Sequence, residues 1–358
     1  MKILMLIPNN GLGGAEQYLL MIAKYFQEEN LDIYFFYKKV DNNPWSRLSE
    51  KSNVNITFFS KKSERSGIFK FFRSMTKNKT SYDVIFTSNV MTTGLIGLLR
   101  YSGSLKTKRF VGRESTSIFL RYKGLKLYKY LFFYKTGYKK LDLLICQTDL
   151  MAQQLIKNVP YLEKKIKVLH NPINIKEIGI MSEQEISFDF GVRIPQFIVS
   201  AGRFIPEKGF DILIKSFTKL KKDKPNLKLV ILGIGPLKAS YIRLAEENNL
   251  LGDIYFPGYV QNVYPFFKKA NLCVVSSIIE GFPNVLLQMM SQNDKVVSTL
   301  CAGGIDKIHG IQTVETNSVE NLYRGMLLCL NTDTKINRKL FDNYLEKKDI
   351  SAFMKKLI

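Results

Sequence analysis

The stretch from Ser277 to Gln288, S-I-I-E-G-F-P-N-V-L-L-Q, holds a carboxylate, a glycine, a proline and an amide at spacings that suit one task. The apolar run Leu272 to Val275 reads as a buried strand. Glu280, Gly281, Phe282 and Pro283 break it, and Val285 to Met290 reads as a helix. Gly281 lets the backbone approach a ligand closely, and Pro283 suits the first helical turn, where its missing N–H costs nothing. The amides of Asn284 and Val285 would then open the helix as a phosphate site. At about 100° per residue, Gln288 falls near the face that Glu280 occupies. An acid, an amide and a positive helix end on one crevice suit a sugar carried on a diphosphate.

A second constellation is S-A-G-R-F-I-P-E-K-G-F-D, residues 200–211. A strand ends at Ser200, so Arg203 and Lys208 lie in the loop at its carboxyl end, where open α/β sheets bind ligands. Arginine offers phosphate oxygens a planar fork and lysine adds a point charge. Together they would neutralise a departing diphosphate; two solvated loop cations is the plain alternative.

These segments resemble the donor-site signature of retaining glycosyltransferases of family 4, which have the GT-B fold. That family's Glu, seven residues, Glu motif reads Glu280 to Gln288 here, and G-R-x-x-x-x-K-G reads from Gly202 to Gly209. The resemblance is most specific between Val199 and Ile305. It implies that Glu280, Arg203 and Lys208 carry catalysis, Glu280 approaching donor-sugar hydroxyls near the anomeric centre. It implies substrate contacts at Gly281, Phe282, Pro283, Asn284 and Val285. Gln288 stands where the family has a carboxylate on the ribose hydroxyls; the amide keeps an acceptor and loses the charge. The glycine turn L-G-I-G-P-L places Gly235 in the nucleotide pocket, and F-P-G-Y-V places Tyr259 and Val260 beside the base, with an exposed loop aromatic as the equal alternative. In the first half, P-N-N-G-L-G-G-A-E borders the family's cleft, which makes Gly13 and Gly14 candidates. A ligand-free tight turn is the other reading of that loop, whose glycines do not fit the dinucleotide pattern. Arg113 and Glu114, in F-V-G-R-E-S-T, stand where many members carry a histidine near the reacting sugar; a salt-bridged loop pair is the even alternative. His170, one of two histidines, sits at the H-N-P join and reads as structural.

The elements that must position these residues follow from periodicity. After the strand Lys2 to Ile7 and a helix from about Ala15 to Gln27, strands are expected at Ile33–Tyr37, Asn55–Phe59, Val84–Thr87, Arg109–Val111 and Leu143–Gln147, with helices between. The regime restarts at Gln196–Ser200 and runs through Lys228–Leu232, Ile254–Pro257, Leu272–Val275 and Lys295–Thr299. This is an α/β protein with two Rossmann-like, doubly wound parallel-sheet domains, which the resemblance makes a GT-B pair facing a cleft. The acceptor-side domain is expected at 1–171 and the donor-binding domain at 172–335, with Ile173 to Pro195 as an irregular join. The family implies that 336–358, a helix from about Asn337 to Leu357, returns to the first domain.

At 358 residues, 46% hydrophobic and 23% charged, the chain has material for two cores. No apolar run approaches the ~18 residues of a membrane span, and Ile3 to Ile7 is too short for a signal peptide. Cys146, Cys273, Cys301 and Cys329 lack paired spacing, which fits a reducing compartment and a cytoplasmic protein. No metal site is indicated, with neither D-x-D nor clustered ligands in the sequence, and no cofactor is expected beyond a nucleotide-diphosphate sugar as donor substrate. Residues 1–170 hold 29 Lys and Arg against 12 Asp and Glu, so 17 of the net +22 charges lie in the first half. Ile118 to Lys140 alone has seven basic residues, eight Phe and Tyr, and no acid. Such a segment suits an anionic membrane surface, here the inner face of the cell membrane, or equally a half-buried helix whose aromatics are core.

The function implied is transfer of a hexosyl or N-acetylhexosaminyl group, with retention and without metal. The acceptor would be a lipid-linked or oligosaccharide hydroxyl in bacterial surface polysaccharide or lipopolysaccharide assembly. Gln288 and the missing histidine motivate a first alternative, a non-catalytic relative that stabilises a partner. The +22 charge motivates a second, a nucleic-acid binder, against which the donor motifs argue; a nicotinamide oxidoreductase is a distant third.

Overall fold

The apolar runs become parallel strands in the computed structural model, which describes residues 1–11, 13–41, 45–77, 79–186, 188–189, 191 and 194–357. Residues 1–172 and 173–358 form two compact units, each built on its own sheet. In the first, β1 (Lys2–Asn9), β2 (Asn30–Tyr37), β3 (Val54–Ser60), β4 (Thr80–Thr87), β5 (Leu105–Arg113), β6 (Leu143–Cys146) and β7 (Ile166–Val168) take the order β3-β2-β1-β4-β5-β6-β7. In the second, β8 (Phe197–Ala201), β9 (Lys228–Leu232), β10 (Ile254–Gly258), β11 (Leu272–Val275), β12 (Val296–Thr299) and β13 (Gln312–Val314) take the order β10-β9-β8-β11-β12-β13. Every ladder is parallel. Central strands are buried on both faces, as the continuous run Ile3 to Ile7 shows, because helices cover each side. Strand order therefore reverses between β1 and β4 in one sheet and between β8 and β11 in the other. Those are the switch points where loops diverge and leave a crevice.

One glycine contact sets the geometry of the first core. The helix Val90–Tyr101 crosses the turn Gly137–Lys140 so closely that a Cβ on Gly97 would lie 1.9 Å from the Gly137 carbonyl oxygen. Only glycine permits that approach, and it seats Tyr134 and Tyr138 fully inside the core.

Two expectations change. The join 173–195 is not irregular throughout: Asn174 caps a helix, Ile175–Ser182, by accepting from the Glu177 amide. The last helix is two, Lys335–Glu346 and Ile350–Met354, divided where Asp349 accepts from the Ser351 amide. Phe341 and Leu345 of the first join the core of the second unit, and Ile173 bonds Lys348 and Ile350 through backbone groups.

Candidate functional site

In the second unit, the loops after β8 and β11 meet at the switch point. Gly209 is left-handed (φ 59°), and a Cβ there would lie 2.3 Å from the Ser276 carbonyl oxygen, so the two loops touch through a glycine. Ser276 Oγ donates to the Lys208 carbonyl at 2.9 Å, and the Ile278 amide to the Glu207 carbonyl at 2.8 Å. This lacing brings Lys208 and Glu280, 72 positions apart, into an ion pair, Nζ to Oε1, with both side chains four-fifths buried. The Ser277 hydroxyl donates to the same Oε1 at 2.9 Å, and the Glu280 amide donates to the Cys301 carbonyl at 2.8 Å. Burial pushes the Cys301 thiol up to about 12, with the Glu280 carboxylate adding to it.

Arg203 lies on the same loop, exposed, and its guanidinium makes no hydrogen bond or ion pair with the described residues. The Lys208 stem packs across Gly202: a Cβ there would sit 3.3 Å from Lys208 Cδ. The Gly233 and Gly235 turn after β9 is pressed against this loop, and a Cβ on Gly235 would lie 2.5 Å from the Phe204 carbonyl oxygen. Tyr259 is 55% exposed beside it, while Val260 packs on the core. A groove of about 400 Å³ between Pro206, Tyr241, Arg243 and Ile278 lies alongside and includes none of Arg203, Lys208 or Glu280.

The segment 281–288 divides by role. Phe282 is buried in the core and Pro283 is buried too, where their apolar surfaces are worth more. The helix spans Asn284–Met290, and no side chain caps its start. Gln288 Nε2 donates to the Tyr264 hydroxyl at 3.3 Å, which leaves its carbonyl oxygen as an acceptor. Burial, with Glu177 adding, pushes that phenol up to about 12, so it stays protonated.

In the first unit, the loop after β1 is pinned by Asn10, whose Oδ1 accepts from the Lys39 amide at 2.8 Å and the Val40 amide at 3.1 Å. Gly13 caps the helix Gly14–Tyr25, and Glu16 folds back over it: a Cβ on Gly13 would lie 2.5 Å from Glu16 Oε2. A carboxylate already at that helix start disfavours a phosphate there and suits hydroxyls. Arg113 and Glu114 are not a salt-bridged pair. Arg113 donates to Ser88 Oγ (3.0 Å) and Asn171 Oδ1 (2.5 Å) and lies over the Tyr18 ring at 4.2 Å. Glu114 Oε1 accepts from the Tyr138 hydroxyl at 2.8 Å, and Oε2 has no hydrogen-bond partner among the described residues. With 3% and 1% exposure, both are held by partners within the first unit. Burial draws the guanidinium down to about 10 and drives the carboxyl up to about 7, against the opposing help of Tyr138 and Arg113.

The basic aromatic segment divides between core and exposed side chains. Along the helix Gly124–Lys135, Phe133 and Tyr134 are core, and Leu127 and Tyr130 pack against it. Leu125, Tyr128 and Phe132, spaced for one helix face, are 90%, 70% and 55% exposed among lysines. Sequence reasoning missed Ser277, Tyr264 and Tyr138. Only Ser277, three residues before Glu280, carried a local signal.

Among the described residues no helix is long and apolar enough to cross a membrane, and no group of three or more His, Cys, Asp or Glu is placed to hold a metal ion. Residues 12–177 match the model of Glycosyltransferase Family 4, and residues 182–347 that of Glycosyl transferases group 1. A Campylobacter jejuni N-acetylgalactosamine-N,N'-diacetylbacillosaminyl-diphospho-undecaprenol 4-alpha-N-acetylgalactosaminyltransferase is 30% identical over 210 residues, 58% of this chain and 55% of that protein. A second C. jejuni protein, a GalNAc-alpha-(1->4)-GalNAc-alpha-(1->3)-diNAcBac-PP-undecaprenol alpha-1,4-N-acetyl-D-galactosaminyltransferase, is 26% identical over 300 residues, 81% of this chain and 77% of its own. The chain spans about half the length of the first curated relatives it matches, 55% and 43%. In fold it is similar to Anabaena HepE, solved with UDP-glucose, at a TM-score of 0.79 and 16% identity over 99% of this chain and 98% of that one. With the paired Rossmann-like sheets and the two matched models, the chain belongs to the family 4 glycosyltransferases of the GT-B fold.

Proposed function

We propose that this protein transfers a hexosyl or N-acetylhexosaminyl group from a nucleotide-diphosphate sugar to a hydroxyl of a lipid-linked or oligosaccharide acceptor. The setting is surface polysaccharide or lipopolysaccharide assembly, the anomeric configuration is retained, and no metal takes part. The observation that carries this reading is the meeting of Lys208 and Glu280 at the switch point of the second sheet, with the guanidinium of Arg203 open on the same loop. Relatives named for sugar transfer to undecaprenol-linked acceptors support the substrate class.

Bond cleavage at the anomeric carbon puts negative charge on the leaving diphosphate while the sugar becomes cation-like. Lys208 and Arg203 answer the first, the preorganised stabilisation that supplies much of an enzyme's rate. Glu280, held through Oε1, turns its other oxygen to the sugar hydroxyls. The departing phosphate takes the acceptor's proton as the new glycosidic bond forms on the same face. Gln288 accepts a ribose hydroxyl through its carbonyl oxygen, with its amide engaged by Tyr264. Arg113 and Glu114 shape the acceptor side through their partners.

The exposed apolar stripe at Leu125, Tyr128 and Phe132, flanked by Lys126, Lys129 and Lys135, seats the protein on the anionic inner face of the cell membrane. Each cation near such a surface contributes about 1 kcal/mol, enough in sum for reversible attachment.

The test is transfer by the purified chain, after a thermal-shift screen of nucleotide diphosphates and their sugars has chosen the donor. Lys208→Ala and Arg203→Ala should each lower turnover by at least about 100-fold with the fold intact. Unchanged turnover in either variant ends the assignment. No donor binding by the wild-type chain favours a non-catalytic partner subunit, to which Gln288 in the acid's place already points.

A further inference from the structure

The Lys208–Glu280 pair poses a problem that a third residue solves. When a diphosphate arrives, the ammonium turns toward phosphate oxygens and leaves the carboxylate, four-fifths buried, without its cation. A carboxylate released in this way would swing toward water, away from the sugar. Ser277 stands against that. Its hydroxyl donates to Glu280 Oε1, the oxygen Lys208 also holds, while Oε2 makes no hydrogen bond among the described residues. Ser277 is itself 2% exposed, and its carbonyl accepts from Thr299 Oγ1 at 2.6 Å, at the end of the neighbouring strand β12. The hydroxyl is neutral and its backbone is anchored, so an anion at Lys208 does not draw it away.

We propose that Ser277 is a positioning residue that keeps Glu280 aimed at the donor sugar once Lys208 has moved to the diphosphate. The inference rests on the donor-site reading above and makes the sugar, not the nucleotide, the part of the donor that depends on Ser277.

The experiment compares binding of a bare nucleoside diphosphate with binding of its hexose conjugate, using whichever of UDP, GDP or ADP stabilises the wild-type protein. Ser277→Ala should leave affinity for the diphosphate within about 2-fold, weaken the sugar conjugate about 10-fold, and lower kcat for transfer by a similar factor. Retained diphosphate binding shows that the variant is folded. Ser277→Cys, which keeps the shape and a weak donor, should fall between. In a Glu280→Ala background, Ser277→Ala should change neither ligand further, because its effect passes through the carboxylate. Equal weakening of both ligands, or a full additional loss in the Glu280→Ala background, overturns the inference and leaves the donor site standing. A wild-type protein that binds none of the three nucleotides overturns the donor-site reading itself, and this inference with it.

Discussion

Replacing Glu114 by glutamine should stabilise the first unit above neutral pH and do little in acid. The carboxyl is 1% exposed, has one hydroxyl donor in Tyr138, and is held at about 7 in place of 4.5, chiefly by burial. The sign follows from that direction. The folded state retains the proton more tightly than the unfolded chain does, so the contribution to stability is complete below about 4.5. It is lost as pH rises toward about 7 and stays lost above. At 1.36 kcal/mol per pH unit, that interval costs the wild type about 3 kcal/mol by pH 8. The amide keeps an acceptor for Tyr138 and cannot ionise. The facing groups do not titrate in the window: Arg113, at about 10, stays charged, and Tyr134, Tyr138 and Cys146 are all pushed upward by burial. Trp45, the chain's one tryptophan, is buried against Phe35 in the first unit, so its fluorescence follows that unit alone through a urea titration. The stability difference between Glu114→Gln and wild type should grow by about 2 kcal/mol from pH 5 to pH 8. A difference that stays flat across that range would mean an ordinary carboxylate reached by water, and the reasoning from burial would fail.

Other perturbations bear on the second unit. Gly209→Ala should destabilise by at least about 1 kcal/mol and lower transfer, since the residue is left-handed and its Cβ would meet the Ser276 carbonyl; urea midpoints and turnover check both. Gln288→Glu should tighten nucleotide binding about 10-fold by giving the ribose a charged acceptor while the Tyr264 hydroxyl turns to donate; calorimetry showing no gain would remove the ribose from that position. Glu280→Gln should bind the bare diphosphate several-fold more tightly, because Lys208 no longer has a competing carboxylate, yet transfer more slowly; tighter binding without slower transfer would refute the division of labour. Leu125→Glu with Phe132→Glu should abolish flotation with phosphatidylglycerol vesicles and spare the fold, both side chains being exposed.

How far the sequence could be read depended on how local each signal is. Long buried strands such as β1 and β9 announce themselves as apolar runs bounded by glycine or polar loops. β7 and β13 have three residues each, too few for any period, and were legible only once their neighbours were in place. The helix Ile175–Ser182 hid in a polar join because its burial comes from a single turn around Ile178. At the site, Arg203, Lys208 and Glu280 stood out through loop position and spacing. Phe282 lies in the core, and a motif's letters do not tell which side chain turns inward. Tyr138 and Tyr264 were invisible beforehand, for they reach Glu114 and Gln288 across 24 positions in each case. Arg113 and Glu114 show the same limit: adjacent in sequence and opposite in charge, they point to different partners.

The pairing of Lys208 with Glu280 bears on why a site for a diphosphate should neutralise its own cation. At about 4 Å and an effective dielectric near 20, two unit charges attract by about 4 kcal/mol, so an unpaired ammonium or carboxylate in this largely buried place would be costly. The pair offsets both buried charges and fixes both side chains. A diphosphate carries more negative charge than one carboxylate and brings it nearer to Arg203 as well, so on the donor-site reading the ammonium gains by exchanging partners. The carboxylate then needs another donor in place, and the loop after β11 supplies one in the Ser277 hydroxyl. Charge balance in the free state and catalytic aim in the loaded state are then met by one set of atoms, with the switch between them set by whether phosphate is present.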